Sequence, residues 1–209
     1  KLVENHARDY PIHILRSEVT EIKKLKQGTP RNFKVNTKKG NFKSKTIVFA
    51  TGTETRKLGI PGEKQFFGRG VSYCALCDGP LYNDKTVGVV GGSDSAVKEA
   101  ILLSKYAKKV YIIYRGEKVH PEPITLLKHK KYIKNKKIEI INNTNLIEIK
   151  GQEGKLIENV VLDKVYQDKQ ELHLDGLFVY IGHIPLSSLA KSLGVKLNKK
   201  QEIIINRNS

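Results

Sequence analysis

From Thr86 the chain reads Thr-Val-Gly-Val-Val, then Gly91-Gly92-Ser93-Asp94-Ser95-Ala96, then a helical pattern running to Lys105. A short apolar strand, a glycine turn and a helix in that order define a βα unit, and such units stack as parallel sheets with helices on their faces. The following segments repeat the alternation. Val110–Tyr114 reads as the next strand, residues 124–134 as a helix after Pro121 and Pro123, and Ile138–Ile141 as a third strand. The grammar then changes to a meander from Leu146 to Leu174, with turns at Gly151–Gly154 and Gln167–Lys169. Leu177–Ile181 has the composition of a buried strand, closed by Gly182-His183-Ile184-Pro185.

The flanks carry weaker patterns. Residues 1–9 are helical in spacing and stop before Pro11. Val19–Ile22, Asn32–Asn36 and Thr46–Ala50 read as strands of an antiparallel meander ending in a buried strand, and Leu58-Gly59-Ile60-Pro61-Gly62 as a linker. A helix over 187–192 and a strand at Glu202–Ile205 finish the chain. The fold class predicted is α/β, a Rossmann-like three-layer nucleotide-binding domain with a β-meander, plus part of a second related domain. Residues 54–182 form the complete domain; 1–53 and 183–209 are parts of the other.

Hydrophobic content of 39% and charged content of 28% suit a globular protein. No apolar run is long enough to span a bilayer and none is flanked as a signal peptide, which points to the cytoplasm and away from membranes. The net charge of +17 is mostly lysine spread through every segment. Its densest runs, Lys128-His129-Lys130-Lys131 and Lys134-Asn135-Lys136-Lys137, suit the solvated face and end of one helix. With a single aromatic residue, Tyr132, between them, they argue against nucleic acid and leave only a general attraction for acidic partners. There is no methionine, so the chain reads as a piece of a longer protein.

Cys74-Ala75-Leu76-Cys77-Asp78 holds the only two cysteines. Three chemistries fit such a pair: a redox dithiol, a metal site, or an inert buried pair. A zinc site needs further ligands, and neither a second cysteine pair nor a histidine pair at ligand spacing is present, so no metal is expected. Asp78 suits a dithiol, because thiol–disulfide exchange needs a group to deliver or remove a proton; a turn or helix-cap role is its structural alternative. In the glycine turn, Gly91 and Ala96 occupy fingerprint positions, Gly92 and Asp94 and Ser95 fill it, and Ser93 stands where a second glycine normally lets the backbone approach a pyrophosphate. After the second strand come Tyr114-Arg115-Gly116-Glu117-Lys118, where Arg115 and Lys118 lean towards the 2′-phosphate of NADPH over NADH.

Four motifs in this order, TIVFATGT, GRGVSYCALCDG, VGVVGGSDSAVKEA and LFVYIGHIP, resemble the low-molecular-weight thioredoxin reductases, flavoproteins among the pyridine nucleotide-disulfide oxidoreductases. The resemblance implies an enzyme of the thioredoxin-disulfide reductase type, passing electrons from NADPH or NADH through FAD to the dithiol and on to a thioredoxin-like protein disulfide, in a homodimer. It implies that Cys77 is the flavin-side sulfur, Cys74 the sulfur that attacks substrate, and Asp78 the acid–base partner. Ala50, Thr51 and Gly52 match a segment near FAD; Ile181, Gly182 and His183 match a nicotinamide-side contact. The family's FAD pyrophosphate fingerprint and its closing Gly-Asp segment do not occur in these 209 residues, so the chain alone is expected neither to retain FAD nor to turn over. Ser93, Tyr114, Gly116 and His120 depart from the family pattern. Related dithiol reductases with a non-NADPH donor, and non-catalytic nucleotide-binding modules, are the alternatives.

Overall fold

A computed structural model describes residues 2–25 and 32–206, apart from the side chains of residues 2, 3, 129, 131, 133 and 134. Lys1, where the first helix was expected to start, the chain end 207–209, and the side chains of His129, Lys131 and Lys134 in the lysine runs lie outside that description. Two compact units are present: residues 1–54 with 184–209 (unit 1), and residues 55–183 (unit 2).

In chain order the elements are α1 (Leu2–Arg8), β1 (Val19–Lys24), β2 (Phe33–Thr37), β3 (Gly40–Ser44) and β4 (Thr53–Thr55). Then come β5 (Val71–Ser72), α2 (Ala75–Asp78), a 3-10 turn (Gly79–Tyr82), β6 (Thr86–Val90), α3 (Asp94–Leu103) and β7 (Lys109–Ile113). They are followed by α4 (Pro123–Lys134), β8 (Ile138–Ile141), β9 (Leu146–Gly151), β10 (Ile157–Tyr166), β11 (Lys169–His173) and β12 (Gly176–Val179). The last are β13 (His183–Pro185), which pairs with β4, and α5 (Ser188–Ser192).

Unit 2 is built on a five-stranded sheet of order β5-β12-β6-β7-β8, in which every pairing is parallel. Strand side chains alternate between two cores, because successive residues point to opposite faces. Val87, Val89, Val110, Ile112 and Phe178 pack on one side with Ala96, Val97, Ala100 and Leu103 of α3. Val90, Ile113, Leu177 and Val179 pack on the other with Ile149, Val160 and Leu162 of the antiparallel β11-β10-β9 meander. Helices, sheet and meander make the three layers, and both faces of the sheet are therefore apolar. The buried residues of α3 are spaced one helical face apart, and its alanines let the helix sit close to the sheet.

Unit 1 holds the β1-β2-β3 meander, and two expectations fail there. The third strand is Gly40–Ser44, not Thr46–Ala50. The turn decides it: Thr37 pairs directly with Gly40 across Lys38-Lys39, and Thr37 Oγ1 accepts from the Lys39 amide at 3.1 Å, so the chain re-enters the ladder at once. Thr46–Ala50 joins no strand among the described residues, with Val48 89% exposed. Glu202–Ile205 likewise makes only an isolated bridge, Leu197 to Ile203, and its isoleucines are exposed. Both are apolar runs whose composition favours strand, but a strand needs neighbours to accept its hydrogen bonds.

Phe178 is fully buried in the helix-side core, edge-on to Tyr82 with ring centroids 5.2 Å apart. Phe178→Ala should lower unfolding stability by about 3–5 kcal/mol. The midpoint of urea unfolding, followed by far-ultraviolet circular dichroism, checks this; a loss below about 1 kcal/mol would show that the layer collapses into the cavity.

Candidate active site

Strand β5 delivers the chain to the dithiol. Cys74 is the N-cap of α2, in extended conformation, and Cys77 lies within that single helical turn, so the spacing brings the two sulfurs together as a disulfide. The Cys77 amide donates to Cys74 Sγ at 3.2 Å, and the Asp78 amide to the Cys74 carbonyl at 3.1 Å. Buried Ser72 holds both ends of this turn. Its Oγ accepts from the Cys74 amide at 3.0 Å and donates to Asp78 Oδ2 at 2.6 Å. Cys77 is exposed and Cys74 half-buried, while Leu76 between them is 76% exposed.

A buried carboxylate, Glu63, fixes the approach to this turn. Glu63 accepts from the amides of Leu58 and Gly59, both at 2.8 Å, and from Tyr73 Oη at 2.7 Å. Burial pushes the Tyr73 phenol up, and the Glu63 carboxylate pushes it further. Lys57 lies over the Tyr73 ring, 3.5 Å from its centroid.

The glycine turn sits at the carboxyl end of β6, where ligands bind in open parallel sheets. Gly91 has φ +137°, and a Cβ there would lie 2.2 Å from the Tyr180 carbonyl oxygen. At Gly92 a Cβ would meet the Tyr114 ring at 2.5 Å. Ser93 caps α3 with φ −77° and ψ 174°, a conformation open to any residue, and its side chain makes no cap bond. Ala96 is fully buried beside Gly91, and Ser95 is exposed. This turn would hold a dinucleotide pyrophosphate: it opens a helix, carries no side chain at Gly91 and Gly92, and has a parallel strand behind.

The segment after β7 runs alongside the turn. The His120 amide donates to the Gly92 carbonyl at 2.8 Å, and Tyr114 Oη lies 3.3 Å from His120 Nδ1. Asp94 ties the same segment to α3: it pairs with Lys98 at 2.6 Å and accepts from the Glu122 amide at 3.0 Å. The Lys98 hydrogen bond, then that of the Glu122 amide, hold the Asp94 carboxyl below its ordinary value. Arg115 and Lys118 are exposed nearby in sequence.

Of the candidate residues, the structure gathers Cys74, Cys77 and Asp78 at α2, and Gly91 to Ala96 with Tyr114 at the end of β6. Ile181, Gly182 and His183 follow β12, the neighbour of β6, with Gly182 and His183 exposed. Ala50, Thr51 and Gly52 belong to unit 1. There Thr51 Oγ1 donates to the Leu186 carbonyl at 2.6 Å, beside a cavity of about 280 Å³ lined by Phe49, Thr51, Gly52, Leu186 and Ile203. Among the described residues, no cluster of three metal-ligating side chains occurs, and no helix is long and apolar enough to cross a membrane.

Ser72, Glu63 and Tyr180 went unnoticed in sequence. Tyr180 closes an apolar strand, and a tyrosine there needs a partner for its hydroxyl, which was the available signal. The partner is the Ala75 amide, 2.7 Å away.

A nucleotide cradle and a disulfide helix on one parallel sheet define a class of proteins that exchange electrons between pyridine nucleotides and disulfides. The chain belongs to the pyridine nucleotide-disulphide oxidoreductase family, whose model matches residues 5–209. It is 39% identical over 154 residues to the thioredoxin reductase of Bacillus subtilis (strain 168), which covers 74% of this chain and 48% of that protein. Its fold matches the crystal structure of T. acidophilum thioredoxin reductase with a TM-score of 0.77 and 34% identity, over 99% of this chain and 65% of the other. The Lactococcus lactis thioredoxin reductase gives 0.75 and 34%, over 91% and 60%. The chain thus spans about half the length of the curated relative and under two-thirds of these solved chains.

Asp94 makes a testable electrostatic latch. Because its folded carboxyl is depressed, the stability it contributes is fully present above the ordinary value of 3.8 and is lost as pH falls through the folded value. Asp94→Asn should therefore be less stable than wild type at pH 7 and converge with it at pH 2–3, as read from urea midpoints. A gap that persists or widens at low pH would show that the Lys98 and Glu122 contacts do not hold the segment.

Proposed function

We propose that this chain is the nicotinamide-dinucleotide and dithiol part of a thioredoxin-disulfide reductase-like oxidoreductase. Electrons from NADPH or NADH, relayed by FAD in the complete protein, reduce Cys74–Cys77, which then reduces a thioredoxin-type protein disulfide. The observation that carries the reading is the Cys74–Cys77 disulfide at the start of α2, with Asp78, next to Cys77 in the chain, held by the Ser72 hydroxyl. Exposed Leu76 and Leu81 offer apolar contact beside the sulfurs, which suits a protein disulfide better than a small polar one. A reducing cytoplasm and a homodimeric parent go with this reading.

The chemistry of the dithiol follows from the turn. Once two electrons and two protons have opened the disulfide, the Cys74 thiolate attacks one sulfur of the partner disulfide, forming a mixed disulfide as the partner's S–S bond breaks. The leaving partner thiolate takes up a proton. Cys77 loses its proton, attacks Cys74 Sγ and restores the Cys74–Cys77 bond, releasing the second partner sulfur as thiolate, which is protonated in turn. Asp78, adjacent to Cys77, is the side chain that holds or supplies those protons, and the Ser72 hydroxyl fixes the orientation of its carboxylate. Gly91, Gly92, Ser93 and the start of α3 would bind the pyrophosphate of the nicotinamide dinucleotide, with Ile181, Gly182 and His183 on the nicotinamide side. Bound NADPH or NADH supplies the reducing equivalents.

Mixing the reduced 209-residue chain with an oxidised thioredoxin, and resolving both by alkylation mass, tests the reading. Stoichiometric transfer of the disulfide to Cys74–Cys77 is expected. Cysteines that never reoxidise, or zinc retained through dialysis at one equivalent, would overturn it.

The nucleotide preference is a second expectation. A charge-assisted hydrogen bond to phosphate is worth about 1.5–3 kcal/mol, and Gly116 and His120 stand where the family pattern has arginines. The chain should bind NADPH weakly, with less than about tenfold preference over NADH. Calorimetric titration of both nucleotides checks this. Submicromolar NADPH binding, far tighter than that of NADH, would show that Arg115 and Lys118 suffice. Negligible affinity for both would favour a dithiol reductase with another donor.

A further inference from the structure

The helix that carries Cys77 opens at Ala75, whose amide is one of the donors that a helix start leaves without an intrahelical acceptor. A thiolate at the N-cap is the natural acceptor for such donors, and each one it receives lowers its energy. Here the allocation is split. The Cys77 amide points at Cys74 Sγ, but the Ala75 amide donates to Tyr180 Oη at 2.7 Å. Ala75 is fully buried, so water does not compete for that amide. Tyr180 is itself fixed: its amide donates to the Val90 carbonyl at 2.8 Å, and its own carbonyl occupies the space that a Gly91 side chain would need. One residue, anchored by its backbone to the nucleotide turn, thus reaches the dithiol with its side chain and takes a donor from the neighbourhood of the redox sulfur.

We infer that Tyr180 is a positioning residue that makes the Cys74–Cys77 couple more reducing, by withholding the Ala75 amide from the Cys74 thiolate. This rests on the dithiol reading given above. A disulfide whose reduced form is stabilised is a strong oxidant, and a couple that must hand electrons onward needs the opposite bias. In the disulfide state the phenol satisfies a buried amide that the neutral sulfur would accept only weakly. In the dithiol state it keeps that amide from the thiolate. Both effects favour the disulfide over the dithiol, and so favour giving electrons up. Glu99 and Asp78 are the charged groups that bear on the phenol, and Glu99 Oε2 is buried without a hydrogen-bond partner among the described residues.

The test compares the full chain with Tyr180→Phe, which removes the acceptor and keeps the ring. Each is equilibrated in glutathione buffers, where the disulfide and two glutathione molecules exchange with the dithiol and glutathione disulfide. The equilibrium constant for reducing Cys74–Cys77 should rise at least about threefold in the variant at pH 8, where a cysteine thiolate is well populated. Cys74, identified by peptide mapping, should alkylate faster at pH 7. An unchanged or smaller constant overturns the inference. Should Tyr180→Phe fail to fold, amide exchange in oxidised wild type decides: Ala75 protected supports the bond, and Ala75 exchanging freely overturns it. A wild-type disulfide that never equilibrates with glutathione sinks the dithiol reading itself. A reversible wild-type couple that Tyr180→Phe leaves unmoved removes only the role of Tyr180.

Discussion

The parallel sheet of unit 2 is apolar on both faces, and the site depends on that. Val87 and Val89 point to the helices while Val90 points to the meander, and Ile112 and Ile113 divide in the same way. A strand in such a sheet has no solvated side to give it freedom, so a slip by one residue would exchange its entire set of contacts. The carboxyl ends of β6 and β12 are therefore held in fixed register, Val90 opposite Val179. Gly91 and Tyr180 are the next residues on each strand, and their close approach is a consequence of that register. The turn that suits a pyrophosphate and the tyrosine that reaches the dithiol are products of one packing constraint.

The dithiol shows how little structure is needed once a sheet supplies the frame. A four-residue helix has no stability of its own, since helix initiation fixes several residues for few hydrogen bonds. Its geometry is imposed from outside, by Ser72 at the end of β5 and by Tyr180 beyond β12. Glu63 does the same for the preceding chain, joining the Leu58-Gly59 amides to Tyr73. Each is a polar group in or near the core with a hydrogen-bond partner, which is the condition for burying it at all.

What was legible in the sequence divides along the same line. Thr86–Val90, the glycine turn and the following helix were legible because strand, turn and helix each carry a local pattern, and the three patterns agree. Ile138–Ile141 and the meander between Leu146 and Leu174 were legible for the same reason. The cysteine pair was legible because its spacing alone fits one helical turn. Thr46–Ala50 and Glu202–Ile205 misled, since apolarity reports a wish for neighbours and not their presence. The Ala75–Tyr180 bond joins residues 105 apart in sequence, and no local pattern announces it. Ser72 to Asp78 spans only six residues, yet it depends on where β5 ends, which the sheet decides.

The division of the chain has a consequence for its synthesis. Unit 2 is one uninterrupted stretch, residues 55–183, whereas unit 1 is assembled from 1–54 and 184–209. A ribosome delivers residues in order at roughly 5–20 per second, and domains fold as units as they emerge. Unit 2 can close both of its cores before residues 184–209 are made. Unit 1 must wait, its β1-β2-β3 meander complete and the residues of α5, Ala190 among them, not yet available. Synthesis therefore passes through a stage in which the glycine turn and the cysteine pair are in place while residues 1–54 still lack the segment that completes their unit, the stage at which a chaperone has most to hold.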